Sequence, residues 1–474
     1  GSGYHIMAVA GPTRPSPLHA WHKGSFVMST VSSVQHLQFA LVALIAFLGH
    51  GAASYAQFGE YDPAQPSEPI QARMQKVAVA ETATGNDPVP AGEKSIREKL
   101  AQPLTVAFVE TPFTDAMAFI AEHCELQVVF DEPELANENL DLAEPVSLSV
   151  GPVSAGSVLE LLFTQFPVEL TWVERDGVFQ ITTRLVADDV MSTRVYDVGD
   201  LVITTDEQGR PASDFASLME VLRTQTSGPW FDLDGVGGTM SEFETAGIDG
   251  LIIRQTRRQH QEVEDVLTQL RLLRDNDEMK MSPVPDWLAE LQVRLQQRIK
   301  MDLVDVPLAY VAEQVGEKIG AQILIDHPSV EDLGIDAGDL VSVQLNDVSA
   351  ATALDFVLDP LDLTAEPRHE VIWITTQVEA AEYMQTMTYN VADLIGYWDL
   401  DGEEQRDDGP LIKVLMRETK GPWFAADGVG GTIAYYRTSG SDLMISRQTA
   451  ENHRQVSQVL ADLRTIRRSE SKDE

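Results

Sequence analysis

The sequence predicts an α+β protein built from two tandem copies of one unit. Each unit holds two subdomains, and each subdomain is a small mixed sheet with two amphipathic helices. Two observations predict the duplication. The segment GPWFDLDGVGGT from Gly228 returns as GPWFAADGVGGT from Gly421, 193 residues later, and at the same spacing Arg254-Gln-Thr matches Arg447-Gln-Thr. A third observation predicts the fold class, because strand-like and helix-like hydrophobic patterns alternate in the same order in both copies.

The first subdomain of each copy has the predicted order β-α-β-β-α-β-β. LTVAFVET predicts a strand, and PFTDAMAFIAEHC predicts a helix that carries Phe113, Met117 and Ile120 on one face. The strands LQVVFDEP and VSLSV follow, then the amphipathic helix SAGSVLELLFTQF. VELTWVERDGVFQITT closes the subdomain as a hairpin about an Asp-Gly turn. Copy two gives the same order from MDLVDV to VIWITT, with an offset of 195 residues in its first part.

The second subdomain has the predicted order β-α-β-β-α, which folds as a small sheet with both helices on one face. TRVYDVGDLV is a strand and its exit, DFASLMEVLRTQT a helix, and GTMSEFETAGIDGLIIRQT two strands. The long last helix has an apolar stripe. We expect Thr256 and Thr449 to cap this helix in the two copies. The stripe in copy one comprises Val263, Val266, Leu267, Leu270 and Leu273.

The repeat and the composition together divide the chain into segments. The boundaries are a signal peptide at 1–56, a disordered linker at 57–93, the two subdomains of copy one at 94–190 and 191–274, a hinge at 275–286, the two subdomains of copy two at 287–383 and 384–467, and a polar tail at 468–474. The linker is rich in Pro, Ala and polar residues and has no sustained apolar face, which is typical of a tether.

The leader predicts export. It contains no acidic residue before Glu60, and its apolar run FALVALIAFL has the length of a signal-peptide core but is too short to span a bilayer. Ser54 and Ala56 suit the positions before a cleavage site, and translation is expected to start at Met7 or Met28. An uncleaved amphipathic anchor is the alternative, so a membrane association is expected only through this segment or through a partner.

Charge and cysteine content restrict the function classes. With 74 acidic and 34 basic residues the formal charge is −40, which disfavours nucleic acid and anionic lipid as ligands. The single cysteine, Cys124, excludes an internal disulfide and lies among apolar residues, so we expect a buried small side chain rather than a nucleophile. The location expected for an exported bacterial chain of this kind is the periplasm or the cell envelope.

The subdomains resemble known domains. The first subdomain, from TPFTDAMAFIAEHC to FQITT, resembles the short N-terminal (STN) domain shared by bacterial secretins and TonB-dependent receptors. The second, from YDVGDLV to VLTQLRLL, is similar to the NolW-like β-α-β-β-α domain that comes next in secretins. This resemblance implies a protein-docking module followed by a module that packs side by side into rings. No segment after Leu463 matches the secretin pore, so the resemblance implies the docking part alone.

The duplicated loop is the main candidate site, as a structural or interaction loop. A phosphate loop needs Lys-Ser/Thr after its glycines, an RNA-binding GxxG loop needs a favourable charge, and an EF-hand needs a later Glu; none of these patterns is met. We expect the glycines to adopt turn conformations and both aromatic side chains to pin the loop. The candidate residues are Trp230, Phe231, Gly235, Gly237 and Gly238 in copy one and Trp423, Phe424, Gly428, Gly430 and Gly431 in copy two.

A second repeated motif marks the start of the last helix. It comprises Arg254, Gln255, Thr256 and His260 in copy one and Arg447, Gln448, Thr449 and His453 in copy two. The histidines lack a second ligand at metal-binding spacing, so we expect packing or a hydrogen bond to the neighbouring loop. No catalytic residue, cofactor site or metal site is predicted.

The sequence therefore predicts a non-enzymatic exported envelope protein that acts as a docking or assembly module. Its expected partner is another envelope protein or a second copy of itself. The alternative is an extracellular carbohydrate- or calcium-binding protein, or a hydrolase, that uses the Trp and Gly loops as a platform. Acidic pairs such as Asp232 with Asp234 and Asp399 with Asp401 suggest adventitious Ca²⁺ binding at most.

Overall fold

A computed structural model describes residues 89–205, 210–245, 248–398, 404–438 and 441–470. The predicted signal peptide, most of the predicted linker and the acidic run from Asp399 to Asp401 lie outside these ranges. The α+β fold class is confirmed by the helices and small sheets of both copies. Within the ranges described, no helix has the length and the apolar character needed to cross a membrane.

The first subdomain of copy one distributes its strands over two sheets rather than one. Strands β1 and β3 pair antiparallel, while β2 pairs parallel and β4 antiparallel with the central β5. The predicted helix face is confirmed, because Phe113, Met117 and Ile120 are buried. The elements are α1 (Ala91–Leu100), β1 (Pro103–Pro112), α2 (Phe113–His123), β2 (Val128–Phe130), α3 (Glu132–Asn137), β3 (Pro145–Ser154), α4 (Ala155–Phe163), β4 (Leu170–Arg175), β5 (Val178–Thr183) and α5 (Arg184–Asp189).

The second subdomain of copy one is an antiparallel sheet of order β6-β10-β9 with helices packed on one face. Its long last helix buries the whole predicted stripe, and the Thr256 side chain caps it by accepting a hydrogen bond from the Gln259 N–H at 3.3 Å. The elements are β6 (Met191–Asp197), α6 (Gly199–Val202), β7 (Ile203–Thr205), β8 (Pro211–Ser213), α7 (Phe215–Gln225), α8 (Phe231–Asp234), β9 (Thr239–Thr245), β10 (Ile248–Thr256) and α9 (Arg257–Arg274).

Copy two repeats these elements in the same order, with the same strand pairings in its main sheets. Its first subdomain contains α10 (Asp286–Leu295), β11 (Arg298–Pro307), α11 (Leu308–Ile319), β12 (Ile323–Ile325), α12 (His327–Asp332), β13 (Leu340–Ser349), α13 (Ala350–Leu358), β14 (Leu363–Arg368), β15 (Val371–Thr376) and α14 (Gln377–Glu382). Its second contains β16 (Gln385–Asn390), α15 (Ala392–Ile395), β17 (Gly396–Trp398), β18 (Glu404–Arg406), α16 (Gly409–Glu418), α17 (Phe424–Asp427), β19 (Thr432–Arg437), β20 (Asp442–Gln448) and α18 (Ala450–Glu470).

Three predicted boundaries differ from the structure. Helix α1 begins at Ala91, inside the segment expected to be a linker, because its Glu93 side chain is buried in an ion-pair cluster. The hinge is partly ordered, since Ser282 donates a backbone hydrogen bond of 2.7 Å to Thr388 on the edge strand β16. Helix α18 continues to Glu470, three residues into the predicted polar tail.

The two copies pack on each other inside one compact unit of the chain. Helices α7 and α9 of copy one lie against the sheet β16-β20-β19 of copy two. The side chains of Tyr436, Leu443 and Ile445 from that sheet are buried in the same cluster as the core of copy one. The second subdomains therefore share a continuous apolar core across the junction between the copies.

Candidate functional site

Each duplicated loop is anchored by its tryptophan. The Trp230 side chain is 1% exposed, and its indole Nε1 donates a hydrogen bond of 3.0 Å to the Thr226 hydroxyl. Its backbone N–H donates to the Asp234 carboxylate at 2.7 Å. Trp423 makes the same two bonds in copy two, to Thr419 at 3.0 Å and to Asp427 at 2.9 Å. In both copies the buried indole N–H donates to an equivalent threonine hydroxyl. The tryptophan is therefore the anchor of the loop.

The glycines of the loop allow a close approach of three chain segments. Gly237 has φ of +90°, and a Cβ atom there would overlap the carbonyl group of Pro229. A Cβ atom on Gly238 would lie 2.5 Å from the carbonyl oxygen of Arg254 on β10. The equivalent Gly430 and Gly431 are equally restricted. These glycines are therefore required because the loop packs directly on the backbone of neighbouring segments. Their presence does not by itself indicate a ligand site.

The Arg-Gln-Thr motif belongs to the same structure as the loop, which the sequence did not reveal. The Gln255 side chain donates a hydrogen bond of 2.8 Å to the carbonyl oxygen of Pro229, and its own oxygen accepts from the Thr256 N–H at 2.8 Å. Gln448 donates in the same way to Pro422 at 2.7 Å. The glutamine thus joins the loop to the end of the strand and to the start of the last helix.

The two arginines of this motif do not join the loop. The outward-facing Arg254 side chain is exposed, and its guanidinium lies 3.3 Å from the sulfur of Met191. Arg447 makes the same contact with Met384 at 3.4 Å. Both arginines therefore belong to the outer face of the sheet.

The repeated histidines serve the core rather than the loop, contrary to one of the two roles expected for them. The His260 Nε2 lies 2.9 Å from the carbonyl oxygen of Ser192 on β6, and Nδ1 lies 2.8 Å from the Tyr196 hydroxyl. A carbonyl can only accept, so Nε2–H donates and Nδ1 accepts from the tyrosine. Burial lowers the pKa of His260 to about 4, so the ring is neutral at pH 7. His453 repeats this arrangement with Tyr389 and Gln385.

The phenylalanine of each loop points into solvent, contrary to the expectation that both aromatic side chains pin the loop. Phe231 is 55% exposed and Phe424 is 59% exposed. Val236 and Val429, five residues later in the sequence, are also exposed in the two copies. In each copy, one phenylalanine and one valine of the loop are therefore exposed to solvent, while the tryptophan of the same loop is buried. Their presence in both copies is not explained by the stability of the loop.

The acidic residues of the loop in copy one are bonded to other groups of the protein. Asp234 accepts the Trp230 N–H, and Asp232 forms an ion pair of 2.7 Å with Arg223. Copy two has Ala425 at the place of Asp232. Among the residues that the structure describes, no three His, Cys, Asp or Glu side chains are grouped as metal ligands. Cys124 is buried, and burial raises the pKa of its thiol, which is the opposite of an activated nucleophile.

Sequence reasoning missed a buried ion-pair cluster that is present in copy one alone. The Arg194 guanidinium on β6 binds Glu93 of α1 at 2.5 Å and Glu264 of α9 at 2.7 Å. Arg97 also binds both glutamates. Copy two has neutral residues at the four equivalent positions, namely Leu288, Gln292, Met387 and Ser457. The alternation of side chains along β6 was the one sequence signal for this cluster. It places Arg194 on the same inward face of the strand as Tyr196.

No protein-family model matches the sequence, and no curated protein is similar to it. Solved structures with similarity include the GspC–GspD complex of the type II secretion system of enterotoxigenic Escherichia coli. That chain is 12% identical, the match covers 36% of this chain and 98% of that chain, and the TM-score is 0.13.

Two structures of the N-terminal domain of the secretin XcpQ from Pseudomonas aeruginosa are also similar. A dimeric mutant is 15% identical, with 52% of this chain and 94% of that chain covered and a TM-score of 0.14. The second structure is 15% identical, with 48% and 87% covered and a TM-score of 0.13. TM-scores of this size do not establish a shared overall fold.

Proposed function

We propose that this chain is a non-enzymatic, exported envelope protein that docks another envelope protein through its two duplicated loops. The observation that carries the proposal is the exposure of Phe231 and Phe424 at equivalent places on two rigid loops. Aromatic side chains presented on a fixed backbone are typical centres of protein interfaces, since they bury a large apolar area at little entropic cost.

Two loops on one chain favour a bivalent partner. Linking two weak contacts raises the apparent affinity through effective concentration, without any new contact. The formal charge of −40 favours a partner whose pocket has a basic rim, which would also accelerate association. The docking role therefore combines two apolar anchors with a long-range electrostatic attraction.

The burial of the loop tryptophans argues against the alternative function, a carbohydrate-binding protein or hydrolase that uses the loops as a platform. A sugar-binding platform needs an exposed indole face, whereas Trp230 and Trp423 are each 1% exposed. The loop carboxylates are occupied by Trp230 and Arg223 in copy one. We therefore keep the docking role as the function that the geometry supports best.

Substitution of the exposed anchors tests this proposal. We expect Phe231→Ser combined with Phe424→Ser to weaken partner binding by about 2 kcal/mol or more per loop, as for interface hot spots. The melting temperature should change little, because exposed side chains contribute within about 0.5 kcal/mol to folding. Binding is measured by site-specific photo-crosslinking from the neighbouring exposed loop positions 236 and 429 in envelope fractions of the native cell.

Two exposed valines outside the loops provide a matched control. Val109 and Val304 are exposed apolar residues at equivalent places in the two copies but lie outside the loops. Serine at both positions should leave the crosslinked species unchanged. If the loop variants crosslink and bind like the wild type while Trp230→Ala merely unfolds the protein, the loops are structural and the docking proposal fails.

A further inference from the structure

The surroundings of the two duplicated loops differ in charge, although the loops share one backbone. Across the whole chain, acidic residues outnumber basic ones by 74 to 34. Around the loop of copy two this relation is reversed. Its basic residues lie on α16, at the entry of the loop and on the second turn of α18, and they are Lys413, Arg417, Lys420 and Arg454.

The loop of copy two joins the end of α16 to the beginning of α18. The Thr419 hydroxyl, at the end of α16, accepts the hydrogen bond of the Trp423 indole N–H. The Lys420 backbone N–H, at the entry of the loop, donates a hydrogen bond of 2.8 Å to the Gln455 side chain on α18. The basic residues of both helices therefore flank the loop.

These basic side chains are exposed and only partly neutralised. The side chains of Arg417 and Lys420 are 79% and 77% exposed, and Lys413 is exposed as well. The Glu451 carboxylate contacts both Lys420, at 3.8 Å, and Arg454, at 2.5 Å. Because one carboxylate is shared by two cations, the surface beside the loop keeps a positive charge.

The equivalent positions of copy one have the opposite balance. Glu220 stands at the place of Lys413, and Ser227 stands at the place of Lys420. Over the positions that flank the loop, cations outnumber carboxylates in copy two, and carboxylates outnumber cations in copy one. The charged residues are Lys413, Arg417, Lys420, Arg454, Glu418, Asp427 and Glu451 in copy two, and Arg223, Arg258, Glu220, Asp232, Asp234 and Glu262 in copy one.

The loop of copy two also has a larger apolar surface on the side of α16. In copy one, Arg223 on α7 forms an ion pair of 2.7 Å with Asp232, so these two positions face each other. Copy two has Met416 and Ala425 at the same two positions. The half-buried Met416 and the exposed Ala425 extend the apolar surface of Phe424 toward the cations of the helix. An exposed apolar patch with a charged rim is typical of an interaction site.

We infer, on the basis of the docking function proposed above, that the loop of copy two docks an acidic segment of the partner protein. Apolar side chains of this segment pack on Phe424 and Met416, and its carboxylates pair with the surrounding cations. The loop of copy one, with its acidic surroundings, takes the pocket with a basic rim. The partner therefore presents two unlike sites and binds in one orientation, since the reverse orientation brings like charges together.

The negative charge of the whole chain does not oppose this contact. Interactions between exposed charges are largely screened beyond about 8 Å at physiological ionic strength, so a short segment on the loop senses mainly the charges beside it. An anionic membrane is a different case, because a flat lipid surface meets many carboxylates of the chain at once. A protein segment is therefore favoured over a lipid surface as the occupant.

Charge reversal beside the loop tests this inference in the full chain. The rim variant carries Lys413→Glu and Lys420→Glu, and a photo-crosslinker at position 429 reports the partner in envelope fractions. We expect the crosslinking yield to fall about tenfold, because each reversal replaces an attraction by a repulsion. The variant with Lys413→Arg and Lys420→Arg keeps both charges and should crosslink like the wild type. Mass spectrometry should identify the crosslinked segment as rich in Asp and Glu.

A matched control separates local charge from total charge. Lys300 and Lys318 are exposed on the first subdomain of copy two. Lys300→Glu combined with Lys318→Glu changes the formal charge as much as the rim variant does, but leaves the surroundings of the loop intact. This control variant should crosslink from position 429 like the wild type.

Several outcomes overturn the inference. They are a rim variant that crosslinks like the wild type, a control variant that loses as much crosslinking as the rim variant, and a crosslinked species that is a neutral segment, a basic segment or a lipid. Loss of crosslinking in Phe231→Ser with Phe424→Ser, together with full crosslinking in the rim variant, means that the loops dock without an acidic segment. A wild type that crosslinks to no protein from either loop contradicts the docking function itself.

Discussion

Adjacent residues in this chain have opposite environments, and the difference defines their roles. Trp230 is buried with its indole N–H bonded, while the next residue, Phe231, is exposed. In the sequence, both residues are large aromatic side chains, and nothing in their order shows which of them is buried. The direction of each side chain depends on the short helix α8 that begins between them, so the anchor and the docking residue are distinguished by backbone geometry.

Glu366 on β14 is a further single residue with a measurable consequence. It is buried, and its Oε1 atom has no hydrogen-bond partner among the described residues. Burial raises the pKa of its carboxyl group to about 7. The unfolded chain, with the ordinary pKa near 4.3, loses this proton first, so stability falls as pH rises from about 4.5 to about 7.

We therefore expect Glu366→Gln to stabilise the protein at pH 7.5 by roughly 1 to 3 kcal/mol, and to have little effect at pH 4. Urea denaturation at the two pH values measures the difference. Glu366→Val, which installs the residue that copy one has at Val173, should behave in the same way at pH 7.5. An equal effect of Glu366→Gln at both pH values would show that the carboxyl group does not titrate in this range.

The loop, the strand end and the helix start form one element, although they are separate motifs in sequence. Gln255 connects them through Pro229 and Thr256. The loop glycines have different tasks within it. Gly235 has φ of +73° but open space around its Cα, whereas Gly237 combines positive φ with contact to a backbone carbonyl.

This contrast predicts two different costs for the same substitution. Gly235→Ala should destabilise by about 1 kcal/mol, the cost of a left-handed conformation for a residue with a Cβ atom. Gly237→Ala should cost about 3 kcal/mol or more, because the backbone of Pro229 must also move. Thermal unfolding of the two variants, with the equivalent pair Gly428→Ala and Gly430→Ala in copy two, measures the order. Equal costs would contradict the close packing of the loop.

At the scale of the whole molecule, the copies differ in how their first and second subdomains are joined. Copy one uses the buried cluster of Arg194, Arg97, Glu93 and Glu264, whereas copy two has neutral residues at those places. A buried ion pair contributes little net stability compared with apolar packing, but breaking it leaves an unpaired charge. The cluster thus fixes helix α1 of the first subdomain to strand β6 and helix α9 of the second.

We expect Arg194→Met alone to cost about 3 to 5 kcal/mol, because Glu93 and Glu264 then share the single guanidinium of Arg97 and one negative charge is left uncompensated. The full set found in copy two, Glu93→Leu, Arg97→Gln, Arg194→Met and Glu264→Ser, should recover most of that loss. Chemical denaturation of the single and quadruple variants provides the comparison. A quadruple variant no more stable than Arg194→Met would mean that the surroundings in copy one do not accommodate apolar packing.

The sequence by itself determined the α+β class, the duplication, the helix stripe of α9 and the caps at Thr256 and Thr449. Each of these has a local period or a short spacing, so the residues that make it are close in the chain. It also located both loops and the repeated Arg-Gln-Thr motif. It did not show that Gln255 joins them, because their contact spans 26 residues.

Only the tertiary structure decided that Phe231 is exposed, that Arg194 is buried among glutamates, and that a helix face of copy one covers a sheet of copy two. The buried contacts of Arg194 and of the junction between the copies join residues 70 to more than 200 positions apart, such as Arg194 with Glu264 and Tyr436 with Leu201. Such contacts leave no periodic trace in sequence, because each partner obeys only the pattern of its own strand or helix. The free energy gained by covering an apolar face is set by what lies opposite that face, which only the folded chain specifies.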